Sequence, residues 1–92
     1  MSAEKYELVV AGPAARALAE HLPEAVAIAV IDFVTGPLVE APRRVGTPLR
    51  RELLGIHSAR RGTFRILYRI DEEERVVTVV RVEHRGDVYR SR

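Results

Sequence analysis

The sequence contains no cysteine, and its three histidines, His21, His57 and His84, lie far apart along the chain. The absence of cysteine excludes a disulfide-stapled secreted scaffold and a thiolate zinc site. The histidines lack the spacing of metal ligands, so we expect neither a metal centre nor another cofactor. Apolar residues make up 47% of the chain, which is enough for a hydrophobic core.

Long hydrophobic segments are also lacking. The longest apolar run, residues 25–31, is too short to cross a bilayer. The N-terminus has no basic region followed by an apolar stretch, which argues against a signal peptide. A chain of 92 residues suits one domain, so we expect a single domain over residues 1–92 in a soluble cytoplasmic protein.

Lysine is almost absent, and the charge is unevenly distributed. Residues 1–42 hold two basic and six acidic residues, a net charge of −4, and Lys5 is the chain's only lysine. Residues 43–92 hold 13 arginines and seven acidic residues, a net charge of +6. An arginine-rich half suits a polyanion such as RNA or an acidic protein partner. A GC-rich genome that places arginine on any solvated surface would give the same composition, and both interpretations stay open.

The first half of the chain predicts a strand, two helices and a loop. Residues 6–10 form a short apolar strand that ends before Pro13, a residue suited to the first turn of a helix. Apolar residues then recur at helical spacing up to a break at Pro23, and residues 23–33 form a second helix with a broad buried face. Residues 37–49 hold three of the five prolines and are predicted to be a loop.

The second half alternates with a period of two, which predicts strands. Residues 53–58, 63–70 and 75–82 are the strand candidates, with a turn at Gly62. The acidic residues 71–74 predict the turn of an antiparallel hairpin. The resulting order, β-α-α-β-β-β, allows the helices to bury their apolar surface on only one side of the sheet. The other face is left open.

Alternation along the strand before the acidic turn assigns its side chains to two faces. We expect one apolar set to meet the helices: Phe64, Ile66, Tyr68 and Ile70. Arg65 then stands on the open face. In the neighbouring strand, alternation places Arg81 and Glu83 on the same face as Val77 and Val79. This predicts an open face that is partly cationic and not uniformly polar.

An imidazole, a guanidinium, a carboxylate and a phenol follow the last strand, in His84, Arg85, Asp87 and Tyr89. Imidazole and phenol groups can transfer protons, and a guanidinium can neutralise a phosphate, which is the composition of a catalytic site. A structural interpretation of the same residues is also open. Tyr89 could pack its ring on the sheet, and Asp87 could pair with Arg85 or Arg90.

Two stretches of the chain resemble the RelE/ParE toxin superfamily. The stretch Gly62-Thr-Phe-Arg-Ile-Leu-Tyr68 matches the family strand "G-x-[YF]-R-[ILV]-x-Y". The stretch Val82-Glu-His-Arg-Gly-Asp-Val-Tyr89 matches the family ending "V-x-H-R-x-[DE]-x-Y". A Leu-Arg-Arg-Glu-Leu-Leu-Gly block, residues 49–55, precedes them. The resemblance implies the α+β RelE-like fold, a small mostly antiparallel sheet with two helices on one face and a C-terminal tail.

The resemblance also implies a function. RelE-type toxins of type II toxin–antitoxin systems are ribosome-dependent endoribonucleases, or mRNA interferases, that cut mRNA in the ribosomal A site. A 2′-hydroxyl attacks the adjacent phosphate and the 5′-oxygen leaves. By matching position, Arg65 binds the phosphate, Arg85 is a second functional arginine, and Tyr89 stacks on a base or shares in proton transfer. The family's partners are antitoxins of the RelB or Phd/YefM type, which cover the basic site.

Other arginines of the basic half are expected to bind the RNA: Arg43, Arg44, Arg50, Arg51, Arg60 and Arg61. The chain departs from the family at one point, since well-known members carry a "K-x-K" pair where it has Ile56-His57-Ser58. We expect His84 to replace the missing base, with His57 as second candidate, because an imidazole can accept and donate protons near neutral pH.

Two alternative functions remain. ParE-type toxins share the fold and a similar ending, but they poison DNA gyrase, cut no RNA and generally lack the terminal tyrosine. A toxin-like domain without activity would only bind its antitoxin. Tyr89 and the arginines of the strands favour the endoribonuclease.

Overall fold

The computed structural model describes residues 5–51 and 54–84. The elements within these residues are, in chain order, β1 (Glu7–Val10), α1 (Gly12–Arg16), a π-helical turn (Ala17–His21), α2 (Glu24–Thr35), α3 (Pro37–Glu40), β2 (Thr47–Pro48), β3 (His57–Arg61), β4 (Phe64–Asp71) and β5 (Val76–His84). The strands form one sheet in the order β1-β5-β4-β3-β2. β1 runs parallel to β5, and the other neighbouring strands are antiparallel. The predicted α+β fold is confirmed.

The strand predicted over residues 53–58 is displaced toward the C-terminus. β3 begins at His57 because a turn precedes it, with Gly55 at a φ of 92°, a conformation that suits glycine. The turn predicted at Gly62 is present, and this glycine has a φ of 56°. The antiparallel hairpin of β4 and β5 is also as predicted.

The segment predicted to be a loop, residues 37–49, contains two further elements, α3 and β2. Pro37 occupies the first turn of α3, where its missing N–H leaves no hydrogen bond unmade. Leu38 and Val39 of this helix are buried, so apolar burial stabilises an element that the proline content had masked.

The main core lies between the helices and one face of the sheet. Its largest fully buried side chains are Tyr68, Leu38, Ile66, Val30, Val77 and Val79. Phe64 of β4 is also buried there, and Ile70 is half-buried against the same cluster. The apolar face predicted for this strand therefore meets the helices, and Arg65 lies on the opposite, open face of the sheet.

β5 carries a bulge opposite β4. Arg81 pairs with Leu67 and Val79 pairs with Tyr68, so Val80 is an extra residue without a partner. An inserted residue of this kind reverses the alternation of side chains beyond it.

Because of the bulge, the side chains of β5 do not all lie on the faces that the sequence predicts. Val77 and Val79, which precede it, are buried in the core under the helices. Arg81 and Glu83, which follow it, lie on the open face because they pair with open-face residues of β4. The prediction that these four residues share one face is wrong, since strict alternation assumes a regular strand.

Tyr68 anchors the loop of residues 41–46 to the sheet. Its hydroxyl donates a 2.6 Å hydrogen bond to the buried carbonyl of Pro42, and burial raises the pKa of Tyr68 to about 12, so the hydroxyl stays a donor. Gly46 passes close above this hydroxyl. A Cβ at position 46 would collide with it and with the carbonyl of Ser58.

We expect Tyr68→Phe to lower the free energy of unfolding by about 1–3 kcal/mol, because it leaves the buried carbonyl of Pro42 without a donor. Tyr6→Phe is the matched control, since the hydrogen bond that it removes, to Glu72, is exposed. That variant should cost less than about 1 kcal/mol. Urea unfolding measures both, and equal losses would contradict the role of the Tyr68 hydroxyl.

Candidate functional site

Three charged side chains lie side by side across the open face, close to the C-terminal end of β5. Arg65 in β4 is paired with Arg60 in β3 and with Glu83 in β5. The Arg65 guanidinium donates to Oε1 of Glu83 through Nη2, at 2.6 Å, and through Nε, at 3.1 Å. The two side chains are 42% and 36% exposed, so the ion pair is accessible from solvent.

The surroundings of this pair carry excess positive charge. Arg60 and Arg65 are like charges directly opposite each other on neighbouring strands, an arrangement that is unfavourable by itself. Arg81 lies on the same face, two residues before Glu83, and is exposed. We call Arg60, Arg65, Arg81 and Glu83 the arginine cluster. Three guanidinium groups around one carboxylate make a surface that attracts anions.

Arg81 and Glu83 are absent from the residues that the sequence predicted for the site. Alternation had already put both side chains on the open face, although it wrongly put Val77 and Val79 there as well. No motif in the sequence marks the bulge in β5.

The structure places His84 on the other side of the sheet from Arg65. His84 pairs with Phe64, so it shares the face of the helices, and its Nε2 lies 3.1 Å from Oγ1 of Thr63. The two predicted catalytic residues are therefore separated by the sheet. Arg85 and Tyr89, also predicted to be catalytic, lie outside the described residues.

His57, the second candidate for the base, faces away from the arginine cluster as well. It pairs with Tyr68 and stacks on its ring, with the centroids 5.5 Å apart. Burial, followed by the charge of Arg43, lowers the pKa of His57. Its buried Nδ1 has no hydrogen-bond partner among the described residues. The imidazole is therefore a neutral packing group on the helix side.

The six arginines predicted to bind RNA do not form one continuous surface. Arg60 belongs to the arginine cluster. Arg61 faces the helices, where its guanidinium lies 4.6 Å from the centre of the Phe33 ring. Nε of Arg43 lies 2.6 Å from Oε2 of Glu72. The other three are exposed and lie between α3 and β3: Arg44, Arg50 and Arg51.

Glu72, in the turn between β4 and β5, ties three parts of the chain together. Its Oε1 accepts a 2.7 Å hydrogen bond from the hydroxyl of Tyr6, and its Oε2 accepts the bond from Arg43. Arg75 lies 3.8 Å from the same carboxylate and stacks over the Tyr6 ring at 4.0 Å. The hydrogen bonds from Tyr6 and Arg43 lower the pKa of Glu72. Arg43 thus fixes the loop of residues 41–46 to the hairpin.

The residues that the structure describes contain no group of three or more histidine, aspartate or glutamate side chains placed to hold a metal ion. Among the same residues, no helix has the length and apolar character needed to span a membrane.

Solved structures define the class of protein. The chain matches the toxin–antitoxin complex RelBE2 from Mycobacterium tuberculosis with a TM-score of 0.85 and 49% identity, over 89% of this chain and 100% of the other. It also matches a free variant of Escherichia coli toxin RelE with a TM-score of 0.68 and 21% identity, over 94% of this chain and 92% of the other, a likeness of fold alone. The fold is that of the RelE-type toxins, as predicted.

Sequence comparison gives the family. The protein-family model described as the ParE toxin of the type II toxin–antitoxin system, parDE, matches residues 11–89 of the chain. The chain is 56% identical to Toxin RelG of Mycobacterium tuberculosis over 69 residues, 75% of this chain and 79% of RelG. It is 44% identical to Toxin RelE of that organism over 85 residues, 92% of this chain and 87% of RelE. The chain belongs to the RelE/ParE family of type II toxin–antitoxin toxins.

The pKa of Glu72 predicts a pH dependence of stability. A carboxyl group whose pKa is depressed in the folded state adds stability above its unfolded value, here 4.5, and loses it as the pH falls through the folded value. The melting temperature of the wild type should therefore exceed that of Glu72→Gln at pH 7, and the difference should shrink below about pH 4.5. Glu73→Gln, in the same turn, is the control and should differ little from the wild type. A difference that stays constant with pH would contradict the hydrogen-bonded Glu72.

Proposed function

We propose that this toxin is a ribosome-dependent endoribonuclease that cuts mRNA in the ribosomal A site. The observation that carries the proposal is the arginine cluster, an exposed patch of excess positive charge that includes the arginine of the family strand, Arg65. The relatives named RelE and RelG support the same class of activity.

The cluster suits the chemistry of RNA cleavage. When the 2′-oxygen attacks the adjacent phosphate, negative charge builds up on the non-bridging oxygens of the phosphorane. A guanidinium placed beside those oxygens stabilises this charge in the transition state, and we assign that role to Arg65. Arg60 and Arg81 would bind neighbouring phosphates, which relieves the repulsion between guanidinium groups and makes RNA binding dependent on salt.

The C-terminal residues complete the proposed site. We assign Arg85 as a second phosphate-binding arginine and Tyr89 as a base-stacking or proton-transferring group, both by resemblance. His84 ends β5 on the helix side, next to Thr63. It can donate a proton to the leaving 5′-oxygen only if the RNA passes around this end of the sheet, so we assign it no role as the base beside Arg65.

A second candidate function is inhibition of DNA gyrase without RNA cleavage. The match to the ParE toxin model, over residues 11–89, favours it. The two functions differ in a direct assay. Purified toxin with translating ribosomes yields new mRNA 5′ ends in one case, and purified toxin with gyrase blocks DNA supercoiling in the other.

We expect Arg65→Ala to reduce mRNA cleavage on ribosomes by roughly 10²–10³-fold, the loss typical of one donor to a developing oxyanion. Its stability should stay within about 1 kcal/mol of the wild type, because the ion pair with Glu83 is partly exposed. The matched control is Arg61→Ala, which removes the same side chain from the helix side of the neighbouring strand.

Mapping of mRNA 5′ ends measures cleavage for both variants, and thermal melting measures their folding. A folded Arg65→Ala toxin that cuts at the wild-type rate would contradict the assignment. Loss of cleavage in Arg61→Ala alone would indicate that the site lies on the helix side of the sheet.

We also propose an antitoxin of the RelB or Phd/YefM type as the stable partner, with acidic side chains on the arginine cluster. The Mycobacterium tuberculosis structure that this chain matches is a toxin–antitoxin complex. A partner that binds only the folded toxin stabilises it by mass action, so the toxin should melt at a higher temperature in the complex.

Charge reversal tests the location of that partner. Arg60→Glu should weaken the complex and reduce the gain in melting temperature, because it places a negative charge beside Arg65. Arg16→Glu, on α1 and also exposed, should leave both unchanged. Calorimetric titration with the antitoxin measures the affinity. The opposite ranking of the two variants would place the antitoxin on the helices.

A further inference from the structure

Cleavage of RNA by its own 2′-hydroxyl requires a base close to the phosphate that Arg65 holds. The base must accept the hydroxyl proton from within hydrogen-bond reach, and it must stand on the same face of the sheet as the guanidinium. This inference rests on the proposed endoribonuclease function.

Nitrogen bases do not meet this requirement in the described part of the chain. Lys5 lies outside the open face, 3.9 Å from Glu40 of α3. His57 is stacked on Tyr68, and His84 pairs with the buried Phe64, so both belong to the helix side. The sheet therefore separates both imidazoles from Arg65.

Glu83 does meet it. Its carboxylate is the acidic group in contact with Arg65, and its side chain is solvent-accessible. Two of the three guanidinium nitrogens, Nε and Nη2, donate to the same oxygen, Oε1. Oε2 makes no hydrogen bond to another described residue, so one carboxylate oxygen positions the arginine while the other is available to accept a proton.

We propose that Glu83 is the general base of RNA cleavage. Its carboxylate takes the proton of the 2′-hydroxyl, and the 2′-oxygen forms a bond to phosphorus while Arg65 binds the non-bridging oxygens. The bond from phosphorus to the 5′-oxygen breaks, and this oxygen takes a proton from water. The products are a 2′,3′-cyclic phosphate and a 5′-hydroxyl, and Glu83 returns its proton to solvent.

The ion pair has a competing interpretation with the opposite consequence. If Glu83 merely occupied the position of the phosphate on Arg65, its removal would free the guanidinium and raise both RNA affinity and cleavage. A base, in contrast, is required for the chemical step and not for binding. The sign of the effect on rate therefore separates the two roles.

The test uses Glu83→Gln, which keeps the size of the side chain and removes the proton acceptor. We expect its single-turnover cleavage of mRNA on programmed ribosomes to fall by roughly 10²–10⁴-fold, the usual contribution of a general base. Affinity for ribosomes carrying mRNA with a 2′-deoxy nucleotide at the cut site should be unchanged or tighter, since a negative charge is lost. Glu73→Gln, in the hairpin turn, is the matched control and should cleave like the wild type.

A second variant, Glu83→Ala, tests whether the carboxylate itself is needed for cleavage. Formate should partly restore cleavage by Glu83→Ala, because it supplies a small carboxylate to the vacated position, and it should not restore cleavage by Arg65→Ala. Melting temperatures check that each variant is folded.

Cleavage by Glu83→Gln at or above the wild-type rate overturns the proposal, and so does an equal loss of rate and affinity. If the wild type cuts mRNA and Glu83→Gln cuts equally well, the proposed function stands and the base assignment alone falls. If the wild type itself leaves mRNA intact, the endoribonuclease function is wrong and the base assignment falls with it.

Discussion

The packing of one face of β4 against the helices is the constraint on which the rest of the structure depends. Because side chains alternate along a strand, burying Ile66 and Tyr68 forces Arg65, between Phe64 and Ile66, onto the opposite face. Tyr68 also holds the loop of residues 41–46 through its bond to Pro42. One apolar face therefore fixes both the position of Arg65 and the loop beside the sheet.

The bulge in β5 brings the charged side chains of β4 and β5 together on the open face. A regular β5 would have continued its core-facing alternation and carried Arg81 and Glu83 to the helix side with Val77 and Val79. The extra residue, Val80, shifts the two charged side chains to the open face, where Glu83 meets Arg65. β-bulges often re-aim side chains next to functional sites, and this one brings both signs of charge onto one surface.

The sequence was sufficient for the parts of the fold that depend on local patterns. The hairpin of β4 and β5, the turn at Gly62 and the core face of β4 all follow from alternation and turn residues. It was insufficient where a single residue changes the register, as at Val80, or where proline content hides a short buried helix, as at α3. The family resemblance proposes Arg65 as a site residue, but motif spacing cannot show that His84 pairs with Phe64 on the other face of the sheet.

The Arg65–Glu83 pair is worth little as a stabilising interaction, because it is partly exposed and exposed ion pairs contribute on the order of 0.2–1 kcal/mol. Its neighbour Arg60 adds repulsion at the same position. Stability alone therefore does not account for gathering these charges on the open face. In the proposed endoribonuclease, a phosphate beside Arg65 would change the balance, since it would neutralise the guanidinium groups and leave the carboxylate next to the ribose. Under the proposed function, phosphate binding would offset this repulsion, and the bulged strand β5 places Arg81 and Glu83 on the same face of the sheet as Arg65.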